Sequence, residues 1–275
     1  MLEKLKYINH LNETVDFGTD GIYVNKNELR DYEWTITKRN DKIKSFGQGV
    51  VKRKLPVVII CDTVEKSLSA RNRLYEVVEK DVLAQQYGRI VVDGYYMRCY
   101  VMKSQKKDYT TAQRYISLTL TVATDIPVWI KETKQIFRKS DDSGVGSKDL
   151  DYPFDYAFDF KGVNGNGNFI NTSIAATNFR MIIYGECIDP EITIGDHLYK
   201  INGKVGKNEF LTIDSVTKKI FLTTNDGKQI NRFNDRYRRS YIFEKIPAGN
   251  IPVVWVGEYG FDLILYDERS EPKWT

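Results

Sequence analysis

The residues that could perform catalysis are few and widely separated in this sequence. Only two histidines occur, His10 and His197, so no histidine-rich metal site can be assembled. The cysteines Cys61, Cys99 and Cys187 include no C-x-x-C pair, and an odd number at wide spacing argues against a disulfide scaffold or a zinc ribbon. We interpret them as reduced, mostly buried thiols. A nucleophile is not indicated either, because there is no G-x-S-x-G motif and no cysteine has a nearby histidine.

Four aspartates, Asp149, Asp151, Asp155 and Asp159, recur through an aromatic segment. A calcium loop would need a D-x-[DN]-x-[DN]-G run with a distal glutamate, and Pro153 and the aromatic residues interrupt that pattern. A glycosidase needs two carboxylates at a set separation, which a sequence cannot measure. We interpret these aspartates as acidic residues on the exposed edge of an aromatic strand. We therefore predict no catalytic residue, no cofactor and no metal ligand, and we expect that the chain is not an enzyme.

Trp255 and Glu258 have the W-x-x-E spacing that galectins use to bind sugars. The H-x-N-P-R run that completes the galectin site is absent, because His197 is followed by Leu-Tyr-Lys-Ile. We therefore expect Trp255 to lie in a hydrophobic core, as most aromatic residues do. Carbohydrate binding by an adhesin module remains the alternative function, and an uncharacterised hydrolase is a third.

The composition is that of an ordinary globular protein, with 41% hydrophobic and 28% charged residues among 275. This length suggests two domains. The formal net charge of +4 is too small for the electrostatic footprint of a nucleic-acid-binding protein, so no specific nucleic acid is expected. No run of 18 apolar residues occurs, which predicts no membrane insertion. The first residues lack the apolar region of a signal peptide, so we expect synthesis and folding in a cytoplasm.

The first half of the chain, residues 1–138, reads as an α+β domain with one long helix. Residues 32–38 alternate between apolar and polar and predict a half-buried strand. After a capping box at Asp62 and Glu65, apolar residues at three- and four-residue steps predict an amphipathic helix of about twenty residues that ends near Gly88. Residues 114–122 predict another strand, which places a polar-aromatic set on one face: Tyr115, Ser117, Thr119 and Thr121.

Residues 38–54 carry seven basic residues against one acid, Asp41. Gly47 and Gly49 suit the tip of a hairpin that projects from the sheet. A solvated hairpin or loop is one interpretation of this stretch. The other is a basic interaction arm that contacts an acidic partner, with Lys52, Arg53 and Lys54 as its candidate residues.

Residues 139–150 contain no aromatic residue and predict a linker. From residue 151 to residue 275 we find about nine short strand patterns, separated by turn residues, and no helix pattern. The strand candidates include residues 153–160, 241–246 and 252–256. This half therefore predicts a β-sandwich, and the fold class of the chain is mainly β.

Several motifs, spread over essentially the whole chain, carry a resemblance to a known family. The closing stretch holds Ile-Pro-Ala-Gly-Asn at 246–250, Val-Trp at 254–255, Tyr-Gly-Phe-Asp-Leu at 259–263 and Glu-Arg-Ser-Glu-Pro-Lys-Trp at 268–274. Residues 178–186, followed by Asp189-Pro190 and residues 192–195, supply the central strands. In the first half, the capped helix and Pro127-Val-Trp129 also match. In this order and spacing, the sequence resembles the distal tail proteins (Dit) of long-tailed, non-contractile bacteriophages (siphophages) and related prophages.

The resemblance implies a ring-forming N-terminal domain and a peripheral, galectin-like C-terminal β-sandwich. It further implies a homo-hexamer at the virion tail tip that joins the tail tube protein to the tail-tip protein and to receptor-binding components. In such a ring we expect the face of Tyr115, Ser117, Thr119 and Thr121 to meet a neighbouring subunit. The basic arm would bind either that subunit or an acidic ring of the tail tube. We also expect residues 1–139 alone to form the ring, and residues 150–275 alone to be monomeric.

Overall fold

The computed structural model describes residues 4–24, 26–107, 113–139, 163–164 and 167–274. The chain forms two compact units. Unit 1 comprises Met1–Lys131 with Glu268–Thr275, and unit 2 comprises Glu132–Asp267. Residues 132–138 thus group with unit 2, and the last residues group with unit 1, unlike in the division expected from the sequence. Residues 140–150 of the predicted linker lie outside the described residues, so a linker there remains a prediction.

Unit 1 contains short N-terminal strands, a hairpin and a set of longer strands. Its strands are β1 (Leu5–Ile8), β2 (Thr14–Asp16), β3 (Ile22–Val24), β4 (Thr35–Arg39), β5 (Lys42–Gly47), β6 (Val51–Ile60), β7 (Gly88–Val92), β8 (Tyr95–Lys107), β9 (Tyr115–Thr124) and the start of β10 (Trp129–Arg138).

The long strand β8 organises the sheet of unit 1. Its first half pairs with β7, which continues through β1 to β2, and its second half pairs with β9, which continues through β6 to β3. All the pairings in these two series are antiparallel. β4 and β5 pair only with each other among the described strands. The apolar residues of the main sheet form a single core cluster with residues of the helix.

The predicted helix is α1 (Val64–Ala84), and its N-cap is Thr63, not Asp62. The Thr63 side chain accepts a hydrogen bond from the backbone N–H of Lys66, at 3.2 Å. The apolar series predicted Leu68 and Val82 on the buried stripe, but both are exposed, so the buried stripe is rotated from the predicted one. Three of its members are polar, namely Ser67, Arg71 and Asp81. The others are Ala70, Leu74, Val77 and Val78, and all seven recur at helical spacing. The sequence placed Arg71 in the stripe, where it filled a gap in the apolar series, but it did not indicate that Ser67 and Asp81 are buried.

The described residues of unit 2 form short strands and one 3-10 helix, Phe233–Asp235. Its strands, besides the end of β10, are β11 (Val163–Asn164), β12 (Gly167–Asn171), β13 (Asn178–Tyr184), β14 (Cys187–Ile188), β15 (Glu191–Ile194), β16 (His197–Lys200), β17 (Lys204–Val205), β18 (Phe210–Asp214), β19 (Lys219–Thr223), β20 (Gln229–Asn231), β21 (Gly249–Trp255) and β22 (Phe261–Arg269).

Two sheets enclose the core of unit 2, as a β-sandwich requires. One sheet has the strand order β10-β22-β13-β18-β19-β20 and the other has the order β12-β21-β15-β16. Phe179 and Met181 of the first sheet share one buried cluster with Ile192 and Val253 of the second. The mainly β fold class is therefore confirmed. The predicted strand at 241–246 is wrong, because this segment forms turns and a single bridge at Ile246.

The last residues of the chain are attached to unit 1 through Arg30. The Arg30 guanidinium donates to the backbone oxygen of Pro272 at 2.9 Å and to Asp93 at 3.2 Å. It also lies 4.0 Å from the centre of the Trp274 ring, in a cation–π contact. One arginine thus holds the final segment of the chain against the loop that follows β3.

Candidate assembly surface

The predicted interface residues lie on one face of β9, as the alternation indicated. Ile116, Leu118, Leu120 and Val122 are buried on the opposite face of the strand. The other face carries Tyr115, which is 56% exposed, and the half-buried residues Ser117, Thr119 and Thr121. A sheet with one apolar and one polar face can bury the first in its own core and offer the second to a partner. The interface role of this face remains a prediction.

Two of the three predicted arm residues join the same face of the sheet. Lys54 pairs with Thr121 across the β6–β9 ladder, and Lys52 pairs with Ala123. Lys103 of β8 is the partner of Thr121 on its other side. Because paired residues of neighbouring strands point to the same side, the three lysines and the polar residues of β9 form one surface. We call this surface the open face.

The third arm residue, Arg53, does not belong to the open face. It pairs with the buried Val122 and is only 3% exposed. Its guanidinium donates to the backbone oxygen of Leu29 at 3.0 Å and to the sulfur of Met97 at 3.1 Å. Burial lowers the pKa of this guanidinium. Arg53 therefore ties β6 to the loop before the hairpin, and its assignment to an exposed arm is corrected.

The basic stretch does contain a hairpin, but its tip is not at Gly47 and Gly49. β4 and β5 pair from Thr35↔Gly47 to Arg39↔Lys42, so the turn is at Asn40 and Asp41. Both turn residues have positive φ, of 50° and 57°, which is the backbone that a two-residue type I′ turn requires. Asparagine and aspartate adopt this conformation more readily than other residues with side chains. The pair Asn-Asp was thus the sequence signal for the tip.

Both strands of the hairpin are exposed along their whole length. The predicted half-buried face of residues 32–38 is therefore wrong, since Trp34 is 47% exposed and Ile36 is 45% exposed. On the partner strand, Ile43 is 54% and Phe46 is 61% exposed, and the Phe46 ring meets Trp34 edge-on at 6.5 Å. An isolated two-stranded hairpin is at best marginally stable in water. This one carries an apolar cluster that the described part of the chain leaves uncovered.

A buried polar group holds the first strand of unit 1 to the helix. The Asp81 carboxylate, with no exposed surface, accepts from the Tyr7 hydroxyl at 2.5 Å and from the backbone N–H of His10 at 2.8 Å. The His10 ring nitrogen Nδ1 also lies 2.5 Å from this carboxylate. A side chain at Gly88 would collide with both Asp81 and Tyr7. These contacts account for the buried aspartate structurally.

The galectin-like pair of residues does not form an open sugar site. Trp255 is 5% exposed, and its indole N–H donates to the backbone oxygen of Tyr259 at 3.0 Å. Its ring packs edge-on against Phe137 and Phe261, with centroid separations of 5.5 and 5.4 Å. The expectation that Trp255 is a core residue is confirmed. A ring enclosed in this way has no free face on which a pyranose could stack.

Among the described residues, no group of three or more His, Cys, Asp or Glu side chains could hold a metal ion. Over the same residues, the structure contains no helix long and apolar enough to cross a membrane. The aspartates at 149, 151, 155 and 159 and the predicted strand at 153–160 lie outside the described residues.

No protein-family model matches this chain. No curated protein matches it by sequence. Among solved structures, the SPP1 Dit protein, described as a paradigm of the hub adsorption apparatus in phages that infect Gram-positive bacteria, matches 98% of this chain and 100% of its own, with a TM-score of 0.59 and 10% identity.

Two structures of the phage P2 baseplate in its activated conformation, with Ca and with Sr, are similar as well. Each match covers 99% of this chain and 100% of the other, with a TM-score of 0.64 and identities of 12% and 11%. At such low identity the likeness shows the fold. The predicted resemblance to distal tail proteins is thus confirmed in the fold, which extends over both units.

Proposed function

We propose that this chain is a structural hub protein of a bacteriophage or prophage tail. It forms a hexameric ring at the virion tail tip, between the tail tube and the tail-tip and receptor-binding components, and it has no catalytic role. The observation that supports this proposal is the likeness to the SPP1 hub and the P2 baseplate over 98–99% of the chain. A fold shared over both units is a stronger argument than one shared over a single common β-sandwich.

Unit 1 supplies the surfaces that a ring needs. The apolar cluster on the hairpin, with Ile36, Ile43 and Phe46 each about half exposed, gains stability when a neighbouring subunit covers it. The open face adds polar and basic side chains, among them Lys52, Lys54 and Thr121, which favour a partner surface with acidic groups. In this proposal the hairpin replaces residues 52–54 as the interaction arm.

The alternative function, a carbohydrate-binding adhesin module, finds no support at Trp255. Recognition of the galectin type needs an exposed tryptophan face, and this ring is enclosed by Phe137, Phe261 and the backbone of Tyr259. The hub proposal therefore stands as the better account of the fold and of the exposed surfaces.

The mass of the protein in solution tests the hub proposal directly. A hexamer has a mass of about 191 kDa, six times the 31.9 kDa of one chain, and light scattering separates the two species. We expect the hexamer to appear as the protein concentration rises. A protein that remains monomeric over the whole accessible range, at low and at physiological salt, would contradict ring formation.

A further inference from the structure

Unit 2 carries a strongly basic segment that the hub role does not use. Residues 232–241 read Arg-Phe-Asn-Asp-Arg-Tyr-Arg-Arg-Ser-Tyr and include four arginines. Arg232 is paired with Asp235, and Arg236 donates to the backbone oxygen of Phe233 at 2.7 Å. The other two arginines lie at the top of a turn. We call residues 237–241 the arginine turn.

The arginine turn is fixed to strand β16 at both ends. The backbone N–H of Tyr237 donates to the backbone oxygen of Lys200 at 3.0 Å. The Ser240 hydroxyl donates to the backbone oxygen of Leu198. Its two ends are therefore bonded to neighbouring positions of one strand, which fixes the backbone of the turn. A fixed backbone lowers the entropic cost of binding.

Arg238 and Arg239 are exposed on this turn, and neither forms an ion pair with a described residue. A third cation contacts an aromatic ring of the turn. Lys218, in a left-handed backbone conformation with φ of 56°, places its ammonium 5.5 Å from the centre of the Tyr241 ring. The nearest acid along the chain beyond the turn is Glu244. Arg238 and Arg239 thus carry positive charge that no described residue pairs.

The aromatic rings around the turn are already occupied by cations. Lys200 lies 5.8 Å from the ring of Tyr237, Lys218 lies over Tyr241, and the Arg236 guanidinium lies 4.0 Å from the ring of Phe233. Binding of single-stranded nucleic acid relies on free aromatic faces on which bases stack. Each of these rings already has one cation against it, and the positive charge of the turn favours an anionic partner.

We propose that the arginine turn binds a carboxylate-rich segment of a partner protein. The planar guanidinium of arginine matches a carboxylate with two parallel hydrogen bonds, and Arg238 and Arg239 are exposed, adjacent and without an ion-pair partner among the described residues. The charge complementarity of this surface points to an acidic peptide segment as its occupant. This proposal does not depend on ring formation, because every residue that it uses belongs to unit 2.

The test measures binding of a fluorescein-labelled peptide of alternating glutamate and serine to the full chain by fluorescence anisotropy. We expect the double substitution Arg238→Ser and Arg239→Ser to weaken binding at least about tenfold, since two charge-assisted contacts are lost. The lysine versions at the same two positions should restore part of the affinity, because they keep the charge without the planar fork. The control is Lys207→Ser with Lys228→Ser, which removes two exposed charges elsewhere in unit 2 and should leave binding unchanged.

Three results would overturn the proposal. One is equal binding by the serine double variant and by the wild type. Another is tighter binding of single-stranded or duplex DNA than of the acidic peptide, which would make the turn a nucleic-acid contact. The last is a large gain in peptide affinity when Asp151, Asp155 and Asp159 are replaced by asparagine, because the chain's own acidic segment would then be the occupant.

Discussion

At the scale of single residues, Trp255 shows how far one side chain determines the stability of unit 2. Its ring contacts Phe137 and Phe261, and its N–H is satisfied within the core. We expect Trp255→Ala to lower the free energy of unfolding by about 3–5 kcal/mol, because a large buried ring leaves a cavity. Chemical denaturation followed by circular dichroism measures this loss.

The matched control for this substitution is Trp34→Ala on the exposed hairpin, which should change the free energy of unfolding by at most about 0.5 kcal/mol. Equal losses in the two variants would mean that Trp255 is not the core residue described here. A glycan-binding signal that disappears in a folded Trp255→Ala variant would instead revive the carbohydrate alternative.

The cysteines differ in burial, and their reactivity should differ accordingly. Burial raises the pKa of the Cys99 thiol to about 12 and that of Cys187 to about 11, whereas Cys61 is partly exposed. Thiol reagents attack the thiolate, so at pH 8 we expect Cys61 to react first in the folded chain. All three should react once the chain is unfolded, and titration of free thiols with a chromogenic disulfide gives the count.

The raised thiol pKa values also predict a dependence of stability on pH. Below pH 9, the ordinary thiol pKa, both buried thiols keep their protons in the folded and the unfolded chain. As the pH rises above 9, the unfolded chain loses these protons while the folded chain retains them, so stability should fall. A double variant, Cys99→Ala with Cys187→Ala, should lose this part of the alkaline slope in urea denaturation. An unchanged slope would show that other groups are responsible for it.

Individual buried apolar residues were predictable from the sequence, but buried polar ones were not. Alternation correctly predicted the core face of β9, and the lack of a complete galectin pattern correctly predicted a buried Trp255. Arg53 and Asp81, by contrast, are buried against specific distant partners: Leu29 and Met97 for the arginine, and Tyr7 and His10 for the aspartate. Such partners become neighbours only through the tertiary fold, so no local pattern reveals them.

At the scale of elements, the exposed hairpin should decide whether subunits associate. We expect the triple variant Ile36→Ser, Ile43→Ser and Phe46→Ser to fold normally and to form less hexamer, because it removes apolar area from the surface that a neighbour would cover. Sedimentation velocity over a concentration series measures the shift in assembly.

The control for the hairpin is Thr37→Ala with Ser45→Ala, a cross-strand pair next to Ile36 and Phe46 in the ladder. It should leave assembly unchanged. An undiminished hexamer in the triple variant would exclude the hairpin from the interface and would leave the open face as the candidate surface.

Two hairpin turns of unit 1 differ in how clearly the sequence signals them. Asp93-Gly94 is a dipeptide typical of a two-residue hairpin turn, and Val92 and Tyr95 do pair across it with positive φ at both turn residues. The second turn, Asn40-Asp41, lacks glycine, and the nearby Gly47 and Gly49 gave a more conspicuous but misleading signal. The helix was predicted close to its position, with the cap one residue too early, because the capping sequence and the apolar spacing are local signals. Its exact buried stripe depended on polar contacts.

At the scale of the whole molecule, the two units share strands, and this changes how fragments should be designed. Phe137 of β10 stacks on Phe261 at 4.4 Å and meets Phe169 at 6.3 Å in the core of unit 2. A fragment of residues 150–275 lacks this ring and the whole of β10, so we expect it to be unfolded and not the monomeric domain that the sequence suggested. A fragment of residues 132–267 should fold.

Circular dichroism melting curves of the two fragments measure this difference. A cooperative transition in the fragment that begins at residue 150 would contradict the place given to Phe137. The sequence alone could not have shown that Phe137 belongs to the core of unit 2, because the apolar pattern of β10 would be the same if its end packed into the core of unit 1.

The attachment of the last residues to unit 1 has a topological consequence. Unit 2 is an insertion within unit 1, since the chain enters it after residue 131 and leaves it before residue 268. Two covalent connections therefore tether it, and the second continues into the segment that Arg30 holds at Pro272 and Trp274. A protease that cuts either connection alone leaves unit 2 covalently linked to the rest of the chain. Shedding of unit 2 as a separate body therefore requires two independent cleavages.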